Sequence, residues 1–171
     1  LFDYYDTEFY QRRRCYTRSL VEGRPTTETA IFAAGCFWGV QHYMDKAPGV
    51  LSTTVGYIGG HRRNPTYEEV KSHKTGHYEA IRVEFDPAQT SYEELCKLFF
   101  EIHDPAQLDG QGPDLGPQYL SGIFFTSGLQ KSKAEEVMAL LRRRGYEVNT
   151  FIAPAASVTT PDTPVDQTFW P

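Results

Sequence analysis

The residue best suited to chemistry in this chain is Cys36, in the stretch Gly35-Cys-Phe-Trp-Gly39. An apolar run ends at Gly35 and a helical pattern follows it, which predicts a cysteine at a strand-to-helix junction. Backbone amides and the helix dipole favour a thiolate there, and the thiolate is the nucleophilic form of cysteine. Phe37 and Trp38 could wall an apolar pocket beside the sulfur. The residues alone leave open a buried, inert cysteine among core aromatics.

Four polar side chains further along the chain could assist a nucleophilic sulfur, and each also has a structural interpretation. Glu79 lies in a segment that alternates with period two, where a strand glutamate is by default exposed to solvent. Tyr67 and Tyr119 would by default lie at the edge of the core. Asp114 would be a turn residue. The pattern of residues does not decide between these interpretations.

The other histidines and cysteines predict no second site. We expect His77 and His103 to be structural histidines with their hydrogen bonds satisfied. No spacing of His, Cys or Asp resembles a metal site, so we expect no metal. The three cysteines are an odd number, which predicts free thiols in a reducing compartment such as the cytoplasm. Cys96 falls on the apolar side of a predicted helix, where we expect it to be buried.

Length and composition are those of one globular domain. The chain has 171 residues, of which 40% are hydrophobic and 23% are charged. Its formal charge of −5 gives no electrostatic reason to expect binding to nucleic acid. No apolar run approaches the roughly 20 residues that cross a bilayer. The chain begins with Leu1 instead of Met, which suggests a processed product or a piece of a longer polypeptide.

The elements that must position these side chains follow from hydrophobic periodicity. The order β-α-β-β-α-β, followed by one more helix and strand, predicts an α+β fold. More specifically, we expect a two-layer sandwich with a ferredoxin-like split βαβ core, a mixed sheet and an extra C-terminal helix and strand. The predicted strands are 29–35, 50–58, 78–85, 119–126 and 147–152. The predicted helices are 36–44, 66–71, one that a Ser91 capping box begins, and 129–144, with a long loop over 106–118.

Six stretches resemble, in the same order, the motifs of the peptide methionine sulfoxide reductase A family. The resemblance runs from about residue 29 to residue 152. It implies an N-terminal arm, or the remnant of a preceding segment, over 1–28 and a catalytic domain over 29–171. The six stretches are Gly35-Cys-Phe-Trp-Gly39, Gly56-Tyr-Ile-Gly-Gly60, Asn64-Pro-Thr-Tyr-Glu-Glu-Val70, Gly76-His-Tyr-Glu-Ala80, His103-Asp-Pro-Ala-Gln107 and Gln111-Gly-Pro-Asp-Leu-Gly-Pro-Gln-Tyr119.

The resemblance implies a thiol-dependent peptide-methionine (S)-S-oxide reductase, which repairs oxidatively damaged protein. Its substrate would be methionine S-sulfoxide, bound in a peptide or free, and the reaction would pass through a cysteine sulfenic acid. The resemblance also assigns roles by position. The nucleophile is Cys36, the proton donor is Glu79, the hydroxyls on the sulfoxide oxygen are those of Tyr67 and Tyr119, the S-methyl group lies against Phe37 and Trp38, and Asp114 positions the substrate.

The chain departs from this family in two places. Many members carry recycling cysteines near the C-terminus, whereas this chain has none after Cys96. Cys15 lies among arginines that would lower its pKa, and it is our candidate for the resolving thiol. The alternative is an external thiol reductant: thioredoxin, glutaredoxin or glutathione. Asp166-Gln167 stands where the family's His-Gln is expected, and a tyrosine expected nearby is missing.

Two other functions stay open on the sequence. One is a degenerate relative that binds methionine or its sulfoxide without turnover, which the altered C-terminal segment favours. The other is a peroxide-reactive thiol sensor, in which Cys36 is oxidised and the arm that carries Cys15 responds. We expect the reductase, acting as a monomer on oxidised protein or peptide, with no bound cofactor, no nucleic acid and no membrane.

Overall fold

The computed structural model describes residues 27–155, which form a five-stranded sheet with helices packed on it. None of the helices in these residues is both long and apolar enough to cross a bilayer. The strands are β1 (Glu28–Ala33), β2 (Val50–Ile58), β3 (Tyr78–Phe85), β4 (Gly110–Gln111), β5 (Asp114–Leu115), β6 (Gly122–Phe125) and β7 (Phe151–Pro154). The helices are α1 (Phe37–Met44), α2 (Tyr67–Lys71), α3 (Tyr92–Glu101) and α4 (Gly128–Arg143), with a 3₁₀ turn at Pro117–Tyr119.

The order of the strands in the main sheet is β2-β3-β1-β6-β7. β3 is antiparallel to both β1 and β2, so β1 and β2 run parallel with β3 between them, as a split βαβ unit requires. β6 is antiparallel to β1, and β7 is parallel to β6, which makes the sheet mixed. The predicted α+β class, split βαβ core and additional C-terminal helix and strand are therefore confirmed.

The main core lies between one face of this sheet and helices α1, α3 and α4. Side chains alternate across β1, so Ala30 and Phe32 face the helices whereas Ile31 and Ala33 face the opposite side. The ring of Phe32 stacks on that of Phe99 in α3, with 5.1 Å between the ring centroids. Burial of one such ring is worth roughly 1.5–3 kcal/mol.

The register of β3 determines which face of the sheet Glu79 occupies. Ile81 and Val83 belong to the helix-side core, and Glu79 shares their face because side chains two residues apart point the same way. Glu79 therefore points under α1 into the protein, and it is only 3% exposed. The default expectation of a solvent-exposed strand glutamate was wrong. A period-two pattern does not show whether the polar face of a strand is itself covered by other elements.

Two local predictions also differ from the structure. The last strand begins at Phe151 and not at 147, because Asn149 instead ties the chain to the preceding loop. Its amide N–H donates to the carbonyl of Pro105 and its side chain donates to that of Ala106. The segment 106–118 is not an irregular loop, since it contains the β4–β5 hairpin and the start of the 3₁₀ turn. Side-chain amides stabilise this segment, and hydrophobic periodicity does not report them.

Candidate active site

Cys36 is the N-terminal cap residue of α1 and is half-buried. The turn that delivers it requires glycine at position 35, where φ is +87°. A Cβ atom on Gly35 would also lie 2.6 Å from the Cβ of Gln111, so glycine is needed for the hairpin to pack against the turn. The predicted strand-to-helix position of Cys36 is what the structure shows, and the hairpin that packs beside it comes from a distant part of the chain.

The pKa of Cys36 is raised above its ordinary value, chiefly because the sulfur is removed from water. The backbone N–H groups of Trp38 and Gly39 oppose this rise in pKa. The side chain of Cys36 nevertheless accepts no capping hydrogen bond from the helix. The negative charges of Glu79 and Asp114 raise the pKa further. The resting residue is therefore a protonated thiol, and the helix N-terminus alone does not make it a thiolate as the sequence pattern suggested.

Glu79 is a buried carboxyl group held against the first residue of α1. Its Oε2 accepts the backbone N–H of Phe37 at 3.2 Å, which places the carboxyl group next to the residue that follows the nucleophile. Burial raises the pKa of Glu79 to about 7, the Phe37 amide works against that rise, and the charge of Asp114 adds to it. Near neutral pH this side chain is a proton donor within a largely apolar site.

Tyr67, Tyr119 and Asp114 are half-buried, and each interacts electrostatically with Glu79. Burial raises the pKa of Tyr67, and the charges of Glu79, Cys36 and Asp114 add to the rise. Burial likewise raises the pKa of Tyr119 to about 12, with Glu79 the next cause. Both phenols are neutral hydrogen-bond donors at any physiological pH. The three elements that carry them, α2, β5 and the 3₁₀ turn, therefore converge on Cys36 and Glu79.

Phe37 and Trp38 form an aromatic corner beside the nucleophile. Phe37 is 1% exposed and Trp38 is half-buried, and their rings meet edge to face with 5.2 Å between centroids. Tyr57 lies behind them with its ring 5.8 Å from that of Phe37. A floor of buried rings with one partly open indole is suited to a small apolar group such as a methyl.

Tyr57 is a residue of the site that the sequence analysis did not assign. It is directly opposite Glu79 in the β2–β3 ladder, and it is fully buried. Its hydroxyl has no hydrogen-bond partner, and burial raises its pKa, with the charge of Glu79 the next cause. The stretch Gly56-Tyr-Ile-Gly-Gly60 pointed to this region, but only the strand register shows that Tyr57 and Glu79 are neighbours.

We expect the substitution Tyr57→Phe to leave sulfoxide turnover within about threefold of the parent and to leave stability unchanged or slightly raised. The hydroxyl is buried without a hydrogen-bond partner, and removal of an unpaired buried polar group relieves a desolvation cost of about 1 kcal/mol. Steady-state kinetics and urea unfolding test this expectation. Tyr57→Leu, which removes the ring, is the contrasting variant and should impair both properties. A tenfold loss of kcat in Tyr57→Phe would contradict a role confined to the ring.

A hydrogen-bond chain anchors the end of α3 to the strand that follows Tyr119. His103 donates from Nδ1 to the carbonyl of Phe99 at 2.5 Å, and its Nε2 accepts the hydroxyl of Ser121 at 2.7 Å. The Ser121 hydroxyl in turn lies 2.7 Å from that of Thr150. Burial lowers the pKa of His103 to about 4, so the ring is neutral. The structural role predicted for His103 agrees with this geometry.

Side-chain amides hold the hairpin that carries Asp114. Gln111 bonds both the backbone N–H and the carbonyl of Asp104, each at 2.9 Å. Gln107 does the same to Gly112, at 2.7 and 3.2 Å. Each side-chain amide thus makes the two hydrogen bonds that a neighbouring strand would make with the backbone. Together they hold the β4–β5 hairpin, which has few apolar side chains. Asp114 is paired with Gln111 in the two-stranded ladder, which places its carboxylate near the nucleophile.

The remaining predictions concern metals and the second thiol. Residues 27–155 contain no group of three or more His, Cys, Asp or Glu side chains that could hold a metal ion. Cys96 is fully buried in the core and free, and burial raises its pKa to about 12, so it is not available as a resolving thiol. Cys15 and the altered segment with Asp166-Gln167 lie outside the described residues.

Comparisons with known proteins place the chain among relatives of one family. The family model for peptide methionine sulfoxide reductase matches residues 28–162. A peptide methionine sulfoxide reductase MsrA of Geobacter sulfurreducens is 46% identical over 133 residues, which cover 76% of this chain and 82% of the relative. One from Methanothermobacter thermautotrophicus is 47% identical over 133 residues, which cover 76% and 79%.

Solved structures give the same result for the fold. Methionine sulfoxide reductase A of Corynebacterium diphtheriae has a TM-score of 0.68 at 36% identity, covering 80% of this chain and 68% of that one. Reduced Mxr1 of Saccharomyces cerevisiae has a TM-score of 0.74 at 29% identity, covering 82% of each chain. Mxr1 in complex with Trx2 shares the fold, with a TM-score of 0.59 at 22% identity. By the family match and the identity to these relatives, the chain belongs to the peptide methionine sulfoxide reductase family.

Proposed function

We propose that this protein reduces methionine S-sulfoxide to methionine, with Cys36 as nucleophile and Glu79 as proton donor. The observation that carries this assignment is the buried Glu79 carboxyl group beside the nucleophile, whose pKa is raised to about 7, so that about half of it is protonated at neutral pH. A sulfoxide oxygen leaves its sulfur only when it is protonated, so the chemistry needs such an acid. The reaction repairs methionine residues that oxidants have damaged.

The reaction balances with these groups alone. The thiol of Cys36 gives up its proton and its sulfur attacks the sulfoxide sulfur, while Glu79 gives a proton to the sulfoxide oxygen. The S–O bond of the substrate then breaks as the oxygen, carrying the proton from Glu79, bonds to the sulfur of Cys36. The S–S bond formed in the attack breaks at the same time, so methionine leaves and Cys36 becomes a sulfenic acid. The proton from Cys36 restores Glu79. The sulfoxide is reduced by two electrons and the cysteine sulfur is oxidised by two.

The hydroxyls of Tyr67 and Tyr119 bind the sulfoxide oxygen and stabilise the negative charge that grows on it. Both phenols have raised pKa values, so they donate and do not ionise. The aromatic corner of Phe37 and Trp38 receives the S-methyl group, and Asp114 at the mouth orients the main chain of the substrate.

The same arrangement supports selectivity for a single epimer of the sulfoxide. A sulfoxide sulfur is a stereocentre with a methyl group, an oxygen, a carbon chain and a lone pair. When the methyl group is held at Phe37 and Trp38 and the oxygen at the tyrosines, only one epimer exposes its sulfur to Cys36 while its chain leads out to solvent. Because the chain leads out, peptide-bound and free methionine sulfoxide both fit this geometry.

A second thiol must reduce the sulfenic acid of Cys36, giving a disulfide and water. Cys96 is buried, so the candidates are Cys15 of the proposed N-terminal arm (1–28) and an external reductant. We propose an external thiol of the thioredoxin, glutaredoxin or glutathione type, consistent with the complex between Mxr1 and Trx2 and with the half-exposed Cys36. The catalytic domain (29–171) would then act in a reducing compartment such as the cytoplasm, as a monomer without a bound cofactor.

A single-turnover assay without reductant tests this function and counts the thiols. We expect one methionine per protein from a peptide methionine S-sulfoxide and none from the R epimer. Loss of one thiol per turnover identifies an external reductant, and loss of two identifies Cys15 as the resolving thiol. The variant Cys15→Ser is the control, because it should lose one thiol in either case.

The outcomes that would contradict the reductase are equally distinct. Binding of the sulfoxide with no methionine formed and all thiols intact would indicate a binding module. Rapid consumption of hydrogen peroxide with no sulfoxide turnover would indicate a thiol sensor. The buried Glu79 acid favours the reductase over a binding module, since binding of the sulfoxide without turnover needs no proton donor.

A further inference from the structure

The short helix α2 carries Tyr67 to the site, although little of the helix is buried. α2 has five residues, and Val70 is the one among them that is buried. Tyr67 packs against a small buried cluster that consists of Phe37, Tyr57 and Val70. A helix of this length is not stable on its own in water, because the formation of a first turn is unfavourable. Local interactions must therefore help to hold α2, and with it Tyr67, in place.

Two reciprocal hydrogen bonds close the first turn of α2. The backbone N–H of Glu69 donates to Oγ1 of Thr66 at 3.3 Å, and Oε2 of Glu69 accepts the backbone N–H of Thr66 at 2.9 Å. This arrangement is a capping box, in which the N-cap residue and the third residue of a helix each satisfy a free amide of the other. Tyr67 is the first residue of the helix, so it lies within the turn that these two bonds close.

Glu69 makes two further contacts that fix the helix. Its other carboxylate oxygen, Oε1, pairs with the guanidinium of Arg62 at 2.5 Å, which joins α2 to the loop that precedes it. Its backbone carbonyl accepts the hydroxyl of Ser72 at 2.6 Å, at the C-terminal end of the helix. Glu69 therefore ties both ends of α2, and its carboxylate is held in the orientation that the capping box needs.

The ring of Tyr67 has little freedom relative to its own helix. Nζ of Lys71, one turn further along α2, lies 5.8 Å from the centroid of the ring, within the range of a cation–π contact. The ring also packs against the buried cluster that contains Val70 of the same helix. The position of the Tyr67 hydroxyl is therefore set by the position of the α2 backbone.

We propose that Thr66 and Glu69 are positioning residues, whose capping box holds the Tyr67 hydroxyl where it donates to the sulfoxide oxygen. This inference rests on the proposed function, because it presupposes that Tyr67 donates to the substrate. Each residue acts through Tyr67 and not by contact with the substrate. A donor stabilises the charge that grows on the oxygen best when it is in place before the reaction starts. Loss of the capping box should therefore lower kcat more than it raises KM.

The test breaks the capping box from either side and restores it once. Thr66→Val removes the hydroxyl at nearly constant shape, Glu69→Met removes the carboxylate, and Thr66→Ser keeps a hydroxyl that can cap. With a peptide methionine S-sulfoxide, we expect the first two variants to lower kcat about tenfold with KM within about threefold, and Thr66→Ser to keep kcat within about twofold. Ser91→Ala is the matched control, because the Ser91 hydroxyl caps α3 in the same way. It should lower Tm and leave kcat of the folded protein unchanged.

A double-mutant cycle with Tyr67→Phe distinguishes positioning from a purely structural role. Thr66→Val should have no further effect on kcat in the Tyr67→Phe background, because the hydroxyl that the capping box positions is gone. Thermal unfolding of each variant gives the folded fraction to which kcat is referred.

Four results would overturn the inference: additive losses in the cycle, parent-level kcat in both Thr66→Val and Glu69→Met, parent-level kcat in Tyr67→Phe alone, or an equal loss of kcat in Ser91→Ala. In each case, formation of methionine by the parent protein would show that the proposed function stands. Absence of methionine from the parent protein would instead overturn the proposed function, and this inference with it.

Discussion

The substitution Cys36→Ser should abolish methionine formation, with kcat/KM at least about 10⁴-fold below that of the parent. A serine hydroxyl has a pKa far above that of a thiol, and oxygen cannot take up the sulfoxide oxygen as a stable sulfenic-acid equivalent. The structure predicts little effect on folding, because Cys36 is half-buried and makes no side-chain cap. Methionine release under single-turnover conditions, measured by chromatography, is the direct assay.

Cys96→Ser is the matched control for this experiment. Cys96 lies in the main core, so its replacement should cost stability but leave kcat unchanged in the protein that remains folded. Residual turnover in Cys36→Ser above about 1% would require another nucleophile. A normal rate in Cys36→Ser together with an inactive Cys96→Ser would refute the assignment of the nucleophile outright.

The substitution Glu79→Gln should have two opposite effects: loss of activity and gain of stability. Glutamine cannot give up a proton, so we expect kcat to fall about 10²- to 10³-fold. Its side-chain oxygen still accepts the Phe37 N–H, which keeps the local geometry. The amide also removes the need to hold a charge at a position that is 3% exposed. The result would be an enzyme that is more stable and almost inactive.

The gain in stability should depend on pH in a defined direction. The pKa of Glu79 is raised from 4.5 to about 7, so its stability contribution is fully present below 4.5 and is lost as the pH rises to about 7. Above pH 7 the ionised group costs the folded state up to about 3 kcal/mol. Glu79→Gln should therefore be more stable than the parent at pH 8 and nearly equal to it at pH 5. Urea unfolding at both pH values measures the difference.

Glu84→Gln is the control for the effect of pH. Glu84 lies on the same strand but faces the other side, where its carboxylate bonds the exposed hydroxyl of Ser52. It should not stabilise the protein more at pH 8 than at pH 5. Equal stability of Glu79→Gln and the parent at pH 8 would mean that water reaches the carboxyl group, and the acid role would then lose its physical basis.

Hydrophobic periodicity was sufficient to predict the order of the helices and strands and the position of the nucleophile at a strand-to-helix junction. The strand over 78–85 and the helix after Cys36 were located nearly to the residue, because each carries a clear apolar repeat. The split βαβ core follows from that order, since chain connectivity leaves few alternatives. The resemblance to the family then named residues that the structure brings together around Cys36.

What could not be predicted depends on register and on polar contacts. Nothing in the alternating pattern of β3 shows that Glu79 faces the helices, nor that Tyr57 lies opposite it. The hairpin of β4 and β5 depends on Gln107 and Gln111, whose amides bond to the backbone in ways that no periodicity reports.

The position of β1 in the middle of the sheet has a consequence for biosynthesis. β1 is made early, but it pairs with β3 and β6, which are about 50 and 90 residues later in the chain. Cys36 follows β1 directly, so its buried surroundings form only after these distant pairings are complete, and such non-local pairing is slow. A nascent chain therefore presents Cys36 as an ordinary accessible thiol. During translation, before Tyr119 has left the ribosome, this cysteine is open to alkylation or oxidation without yet being able to repair anything.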